Sequence, residues 1–194
     1  HDFSKSLRAE VFEKLKGKKW EDVEGYLSDM LKKGYSNNKE KQKFLAREIE
    51  SKWKEVEKIF FEKLSNITKQ KVYAEKFTAY FTTIGRCPYY LKEDAFAVGL
   101  FGKNTNLTIS HEIMHLQFHH YFEEKITKEI GYKNFQDLKE ALTILLNLEF
   151  ENVIDEEDKG YESHQKLRKF IEEQWKEKKD FDVLIEKCVD YLKK

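Results

Sequence analysis

Apolar residues recur at three- and four-residue spacing through the first third of the chain, which is the pattern of amphipathic helices. It predicts helices over 3–16, 20–33 and 38–65, with Gly17 and Gly34 ending the first two. The longest helix carries an apolar stripe opposite a heavily charged face, made of Leu45, Ile49, Trp53, Val56, Phe60 and Leu64. We interpret this stripe as a packing surface.

The pattern changes near residue 68, where two runs rich in Phe, Tyr, Thr and Val predict strands over 72–83 and 96–101. The only proline, Pro88, breaks the chain between them. Helical spacing then returns and predicts four helices, over about 106–124, 134–151, 162–178 and 181–193. The fold class expected is α+β and mostly helical, with a short β-sheet.

We expect two parts, an N-terminal helical segment over 1–68 and a core over 69–194. Lys plus Arg and Asp plus Glu both number 36, and the isoelectric point is near 7.2, so no basic surface for nucleic acid is expected. Neither a membrane-spanning run nor a signal peptide is apparent. Cys87 and Cys188 belong to no disulfide pattern, which suits a reducing, cytoplasmic location.

The strongest chemical signal is the segment 111–115, which reads H-E-x-x-H within a predicted helix. His111 and His115 lie one turn apart on one helix face, so both imidazoles can bind a single Zn²⁺. Glu112 lies about 100° around the helix from His111, beside the metal. From there it can accept a proton from a water that zinc activates. These five residues therefore supply two metal ligands and a general base.

The surroundings of the motif favour a metal site over a surface helix. His111, Glu112, His115 and His119 share one sector of the helix, and apolar residues cover most of the remainder. A polar stripe on such a helix needs partners. His119 lies about 12 Å along the axis from His111, so we place it behind the ligands or on the substrate side. We interpret His120 as structural.

A catalytic zinc has three protein ligands and one open position, so a third ligand must come from another element. The helix at 134–151 has a polar stripe that contains Glu140, Asn147 and Glu151. Glu140 and Glu151 are about 16 Å apart, so only one of them can reach the metal. Glu140 is favoured because it lies deeper in the apolar run, whereas Glu149 projects to the opposite side. The stripe can also be read as a solvated face, as can the acidic loop at 155–158.

Residues 70–165 resemble the core of gluzincin-type zinc metallopeptidases, the zincin class that includes thermolysin. In that class a Glu on a following helix is the third ligand, and the segment 139–143, Lys-Glu-Ala-Leu-Thr, resembles the form in which it occurs. The segment 94–98, Asp-Ala-Phe-Ala-Val, resembles the edge strand that pairs with extended substrate. The H-E-x-x-H-x-x-G-x-x-H pattern of metzincins is absent, with Phe118 and Tyr121 at its last two defined positions.

The resemblance implies one Zn²⁺ held by His111, His115 and Glu140, and hydrolysis of a peptide bond in a peptide or protein substrate. Many gluzincins show E-x-x-x-D, but position 144 is Ile. The match that starts on the predicted helix at 134–151 runs from Glu151 to Asp155, which keeps Glu151 as the alternative ligand.

Gluzincins usually add a Tyr or His from a later segment to stabilise the oxyanion. The segment 160–164 offers Tyr161 and His164, although packing and surface roles for them are equally compatible with the sequence.

Two other functions fit the sequence. One is a zinc amidohydrolase similar to the deformylases, in which Cys87 is the third ligand. The other is a non-catalytic, zinc-binding helical interaction module whose functional surface is the long charged helices.

Overall fold

The computed structural model describes residues 11–82 and 87–193. The chain forms two compact units, His1–Phe44 and Leu45–Lys194. In the first unit, the described part of helix α1 covers 11–15 and is followed by Gly17, whose φ of 72° is the left-handed conformation that ends helices. Residues 3–10 of the predicted helix lie outside the described residues. The predicted role of Gly17 is confirmed.

Helix α2, Trp20–Thr68, is a single helix, so the predicted end at Gly34 is wrong. A glycine inside a helix costs about 1 kcal/mol relative to alanine, and α2 continues through Gly34 despite this cost. The predicted border at 68 coincides with the end of α2, whereas the compact units divide at Phe44. The reason is the apolar stripe of α2, of which Ile49, Trp53, Phe60 and Leu64 are buried in a core of the second unit.

Among the described residues, three strands form one small sheet in the order β1-β3-β2. Strands β1, Thr78–Thr82, and β3, Ala95–Gly99, are parallel, and β2, Tyr89–Tyr90, pairs antiparallel with β3. The expectation that 94–98 contains an edge strand is therefore wrong. β3 is central and buried, as its unbroken apolar sequence requires. Among the described residues, β2 forms the edge on that side.

The described residues of the second unit also form helices α3 at Thr105–Leu142, α4 at Ile144–Glu149, α5 at Gln165–Glu177 and α6 at Phe181–Leu192. Short 3-10 turns lie at Leu91–Glu93 and Glu162–His164. The mostly helical α+β class is confirmed. The predicted helix at 106–124 extends to a break at Gly131, where φ is 79° and ψ is 160°. The predicted helix at 134–151 is interrupted at Thr143.

Helix α3 is buried by two apolar clusters. One joins it to α5 and α6 and includes Phe118, Ile126, Leu138, Ile171 and Leu184. The other joins it to α2 and β3 and includes Phe60, Leu64, Phe96, Ile113 and Leu116. This packing covers the apolar sides of α3 and leaves its polar stripe for the site described below. Within the described residues, no helix is long and apolar enough to cross a membrane.

Candidate metal centre

The two histidines of the H-E-x-x-H segment meet Glu140 in space. One ligand atom from each of His111, His115 and Glu140 lies within 4.8 Å of the others, so the group could hold a metal ion. In an unbroken helix, Glu140 would lie about 38 Å along the axis from His115. The break at Gly131 instead folds the second half of α3 back along the first. Glycine suits this position because its φ is positive.

His115 has a buried ring nitrogen that is suited to bind a metal ion. The residue is 2% exposed, and burial lowers its pKa to about 3, so its ring is neutral. Its Nε2 lies 3.3 Å from Oε1 of Glu140, without the geometry of a hydrogen bond. Among the described residues this nitrogen has no hydrogen-bond partner. A neutral imidazole nitrogen facing a carboxylate oxygen suits a divalent cation.

His111 is oriented by a carboxylate behind it. Its Nδ1 lies 2.8 Å from Oδ2 of Asp158, and its Nε2 lies 3.7 Å from Oε2 of Glu140. Burial by itself lowers the pKa of His111, but the hydrogen bond to Asp158 and the nearby Glu140 carboxylate outweigh it and raise the pKa to about 9. A carboxylate that binds one ring nitrogen directs the other towards a metal.

Asp158 is a buried residue of the site, although the sequence predicts a solvated acidic loop at 155–158. It is 5% exposed. The side-chain amide of Asn147 accepts from its backbone N–H and donates to its carbonyl, at 2.8 and 2.9 Å. Oδ1 accepts from the N–H of Gly160 at 2.8 Å and lies 3.3 Å from Nη2 of Arg168. Asn147, on the same predicted stripe as Glu140, was the only available signal.

Gly160 is required beside this cluster for two reasons. Its φ is +59°, and a Cβ at this position would lie 2.7 Å from the side chain of Arg168. Arg168 is itself buried and donates from Nη1 to Oγ1 of Thr143 at 2.8 Å. The loop that carries Asp158 is therefore fixed both to α5 and to the break between α3 and α4.

Glu112 lies next to the three ligands and has the chemistry of a general base. It is 8% exposed, and burial raises its pKa to about 7. The negative charge of Glu140 acts in the same direction, while His111 opposes it. A carboxylate with a pKa near neutrality can accept and return a proton at physiological pH.

The site opens into a cleft of about 810 Å³. His111, Glu112, His115 and Glu140 line it, and its other walls are Cys87, Pro88, Tyr89, Leu107, Thr108, Asp158, Lys159 and Tyr161. The charge of Glu140, with partial burial, raises the pKa of the Tyr161 hydroxyl, which keeps it protonated. His164 is not among the described residues that line the cleft, and its Nε2 lies 3.2 Å from Oδ1 of Asp137. Of the predicted pair, the structure brings only Tyr161 to the site.

The alternative ligands lie outside the three-residue group. Glu151 is exposed in the turn after α4. Asp155, the last residue of the E-x-x-x-D match that begins at Glu151, accepts hydrogen bonds from the backbone N–H groups of Asn106 and Leu107 at 3.4 and 3.3 Å. These bonds stabilise the start of α3. Cys87 lines the cleft but is not part of the ligand group.

His119 and His120 also lie outside the ligand group. His119 bonds to Tyr89 and Glu123, and His120 stacks on Tyr73 with ring centroids 4.3 Å apart.

The metal-free protein is expected to lose stability as the pH rises from about 6.5 to about 9. His111 has a folded-state pKa of about 9 against an ordinary value of 6.5. Its stabilising contribution is complete below pH 6.5 and is lost through pH 9, by on the order of 3 kcal/mol. The raised pKa of Glu112 acts in the same direction, with loss between about pH 4.5 and 7. Urea unfolding in the presence of a chelator measures the profile.

Asp158→Asn should flatten this profile between pH 6.5 and 9, because an amide does not attract the His111 proton. Asp190→Asn, at an exposed position on α6, is the control and should leave the profile unchanged. A wild-type profile that is flat or rises over this range would contradict the assigned coupling of His111 to Asp158.

Comparisons of the chain with protein-family models, curated proteins and solved structures found no match.

Proposed function

We propose that the protein is a zinc-dependent peptidase whose metal ligands are His111, His115 and Glu140. The observation that carries the proposal is the meeting of these three side chains in one cleft beside the buried carboxylate of Glu112. Two imidazoles and one carboxylate are the ligand set of catalytic zinc in several hydrolases, and three protein ligands leave one position open. Bound zinc supplies a Lewis acid that polarises a carbonyl group and activates water.

Glu112 is the group that moves the proton. In the proposed reaction its carboxylate accepts a proton from the water that attacks the scissile carbonyl, and then gives it to the leaving amine. Burial supports the return of the proton, because in the metal-free site it raises the pKa of Glu112 to about 7. Tyr161 is the proposed hydrogen-bond donor to the oxyanion, because its protonated hydroxyl belongs to a side chain that lines the same cleft.

Strand β2 is the proposed binding edge for an extended peptide. The backbone N–H of Ala97 donates to the carbonyl of Pro88 at 2.8 Å, so Pro88 and Ala97 form a hydrogen-bonded pair. In an antiparallel ladder such pairs alternate, and the next residue, Tyr89, directs its N–H and C=O away from β3. Because Tyr89 also lines the cleft, a substrate strand paired with it would run past the metal ligands.

The purified protein is expected to hold about one Zn²⁺ per chain, as a single three-ligand site requires. It should hydrolyse unstructured peptides, lose this activity to a chelator and regain it on addition of zinc. Elemental analysis and a mixed library of quenched fluorescent peptides measure the two properties. Zinc binding without any hydrolysis would favour the non-catalytic module. The absence of zinc binding would contradict the proposed function altogether.

A second candidate function is a deformylase-like amidohydrolase, which the position of Cys87 favours. This side chain lines the cleft and is hydrogen-bonded to the backbone of Gly99, while burial raises the pKa of its thiol. Release of formate from N-formyl peptides, together with loss of zinc in Cys87→Ser, would identify this reaction.

A further inference from the structure

A buried lysine lies directly against the proposed metal site. Lys139 is 3% exposed, and its Nζ lies 2.9 Å from Oε1 of Glu140, the neighbouring residue in the chain. The same carboxylate oxygen faces Nε2 of His115 at 3.3 Å. A buried ammonium group needs a partner of opposite charge, because its desolvation is otherwise uncompensated. Glu140 is that partner.

Tyr89 holds the ammonium group in place, and His119 and Glu123 in turn hold Tyr89. Nζ of Lys139 donates to the Tyr89 hydroxyl at 2.9 Å and lies 4.5 Å from the centre of the Tyr89 ring, a cation–π contact. The Tyr89 oxygen is 2.8 Å from Nε2 of His119, whose Nδ1 is 2.9 Å from Glu123. The position of Lys139 is therefore determined by a connected network and not only by its attraction to Glu140.

We propose that Lys139 is a built-in counter-cation of the metal site. Its ammonium group neutralises and holds Glu140 when no metal is bound, and it weakens the binding of a divalent cation by repulsion. The inference rests on the metal site of the proposed function, but it does not depend on the reaction. Lys139 is then a positioning residue. Its replacement should lower the stability of the metal-free protein and raise the affinity for the metal.

The expected loss of metal-free stability and the expected gain of metal affinity both follow from the charges at the site. Without metal, removal of the ammonium group leaves the partly buried Glu140 carboxylate without its lysine partner, which destabilises the fold. With metal, the divalent cation neutralises Glu140, and removal of a positive charge close to it strengthens its binding. A lysine that only filled space would not produce tighter metal binding when replaced.

Lys139→Met tests the inference, because methionine keeps most of the unbranched side chain and removes the charge. The metal-free melting temperature should fall by on the order of 10 °C. Zinc affinity, measured against a competing chelator, should rise by on the order of ten-fold. Lys133→Met is the matched control, since Lys133 is exposed in the same part of α3 and pairs with Asp137; it should change neither property.

A double-mutant cycle keeps the inference testable if Lys139→Met alone does not fold. Glu140→Gln leaves the Lys139 charge without its carboxylate partner and should lower the metal-free melting temperature. The double variant Lys139→Met/Glu140→Gln removes both charges and should be more stable without metal than Glu140→Gln alone. Additive or worse destabilisation in the double variant would overturn the inference.

The outcomes separate this inference from the proposed function. If the wild-type protein binds zinc and Lys139→Met binds it equally or more weakly, the counter-cation role is overturned while the metal site stands. If the wild-type protein binds no zinc, the proposed function fails. The cycle in the metal-free protein then still decides whether Lys139 and Glu140 form an energetically coupled pair.

Discussion

Glu112→Gln is expected to abolish peptide hydrolysis and to leave zinc binding intact. Glutamine has nearly the same shape as glutamate, so it fits the buried position without disturbing His111 and His115. Its amide cannot accept the proton of the attacking water. Loss of a general base lowers the rate by roughly 10²–10⁴-fold, which makes this one of the largest expected effects on activity.

The measurement is kcat/KM on the best peptide of the library, together with elemental analysis of the same sample. Glu124→Gln is a matched control, since Glu124 lies on α3 in an exposed ion pair with Lys128. It should retain both activity and zinc. Activity of Glu112→Gln close to that of the wild-type protein would rule out the peptidase mechanism. Loss of zinc with loss of activity would make Glu112 a ligand instead of a base.

Replacement of any proposed ligand should release the metal. His111→Ala, His115→Ala and Glu140→Ala each remove one of three donors, and zinc affinity should fall by roughly 100-fold or more. Glu151→Ala and Cys87→Ser are controls, since neither residue belongs to the three-residue group. Zinc titration against a competing chelator ranks the five variants.

The same variants should show a second effect. Zinc that binds the folded state raises the melting temperature of the wild-type protein, and this shift should disappear in the three ligand variants. Release of zinc by Cys87→Ser would indicate the deformylase-like arrangement. Release by Glu151→Ala would indicate that the E-x-x-x-D match identifies the third ligand.

Local sequence was sufficient where the controlling interactions are local. The spacing of His111, Glu112 and His115 places them on one helix face in any α-helix, because the geometry of the helix is fixed. The apolar positions of α5 and α6 likewise predicted both helices close to their observed bounds. Glu140 was favoured over Glu151 from its depth in an apolar run, and the structure brings Glu140 to both histidines.

The same local reasoning was insufficient where packing outweighs local preference. Gly34 was expected to end a helix, but α2 continues through it. The segment 94–98 was expected to contain an edge strand, but Tyr89–Tyr90 covers that side and makes β3 central. Strand order depends on which segments meet in space, and the composition of one strand does not determine its neighbours.

The sequence by itself determined the helical class, the H-E-x-x-H face and the most plausible third carboxylate, since each depends on periodicity within one segment. Only the tertiary structure decided the surroundings of that face. Asp158 reaches His111 across 47 positions of the chain, and the buried Lys139 beside Glu140 donates to Tyr89, which in turn is bonded to His119. Both residues have charged side chains that would be solvated on an isolated segment. Their burial and partners result from long-range packing around α3, which no local pattern records.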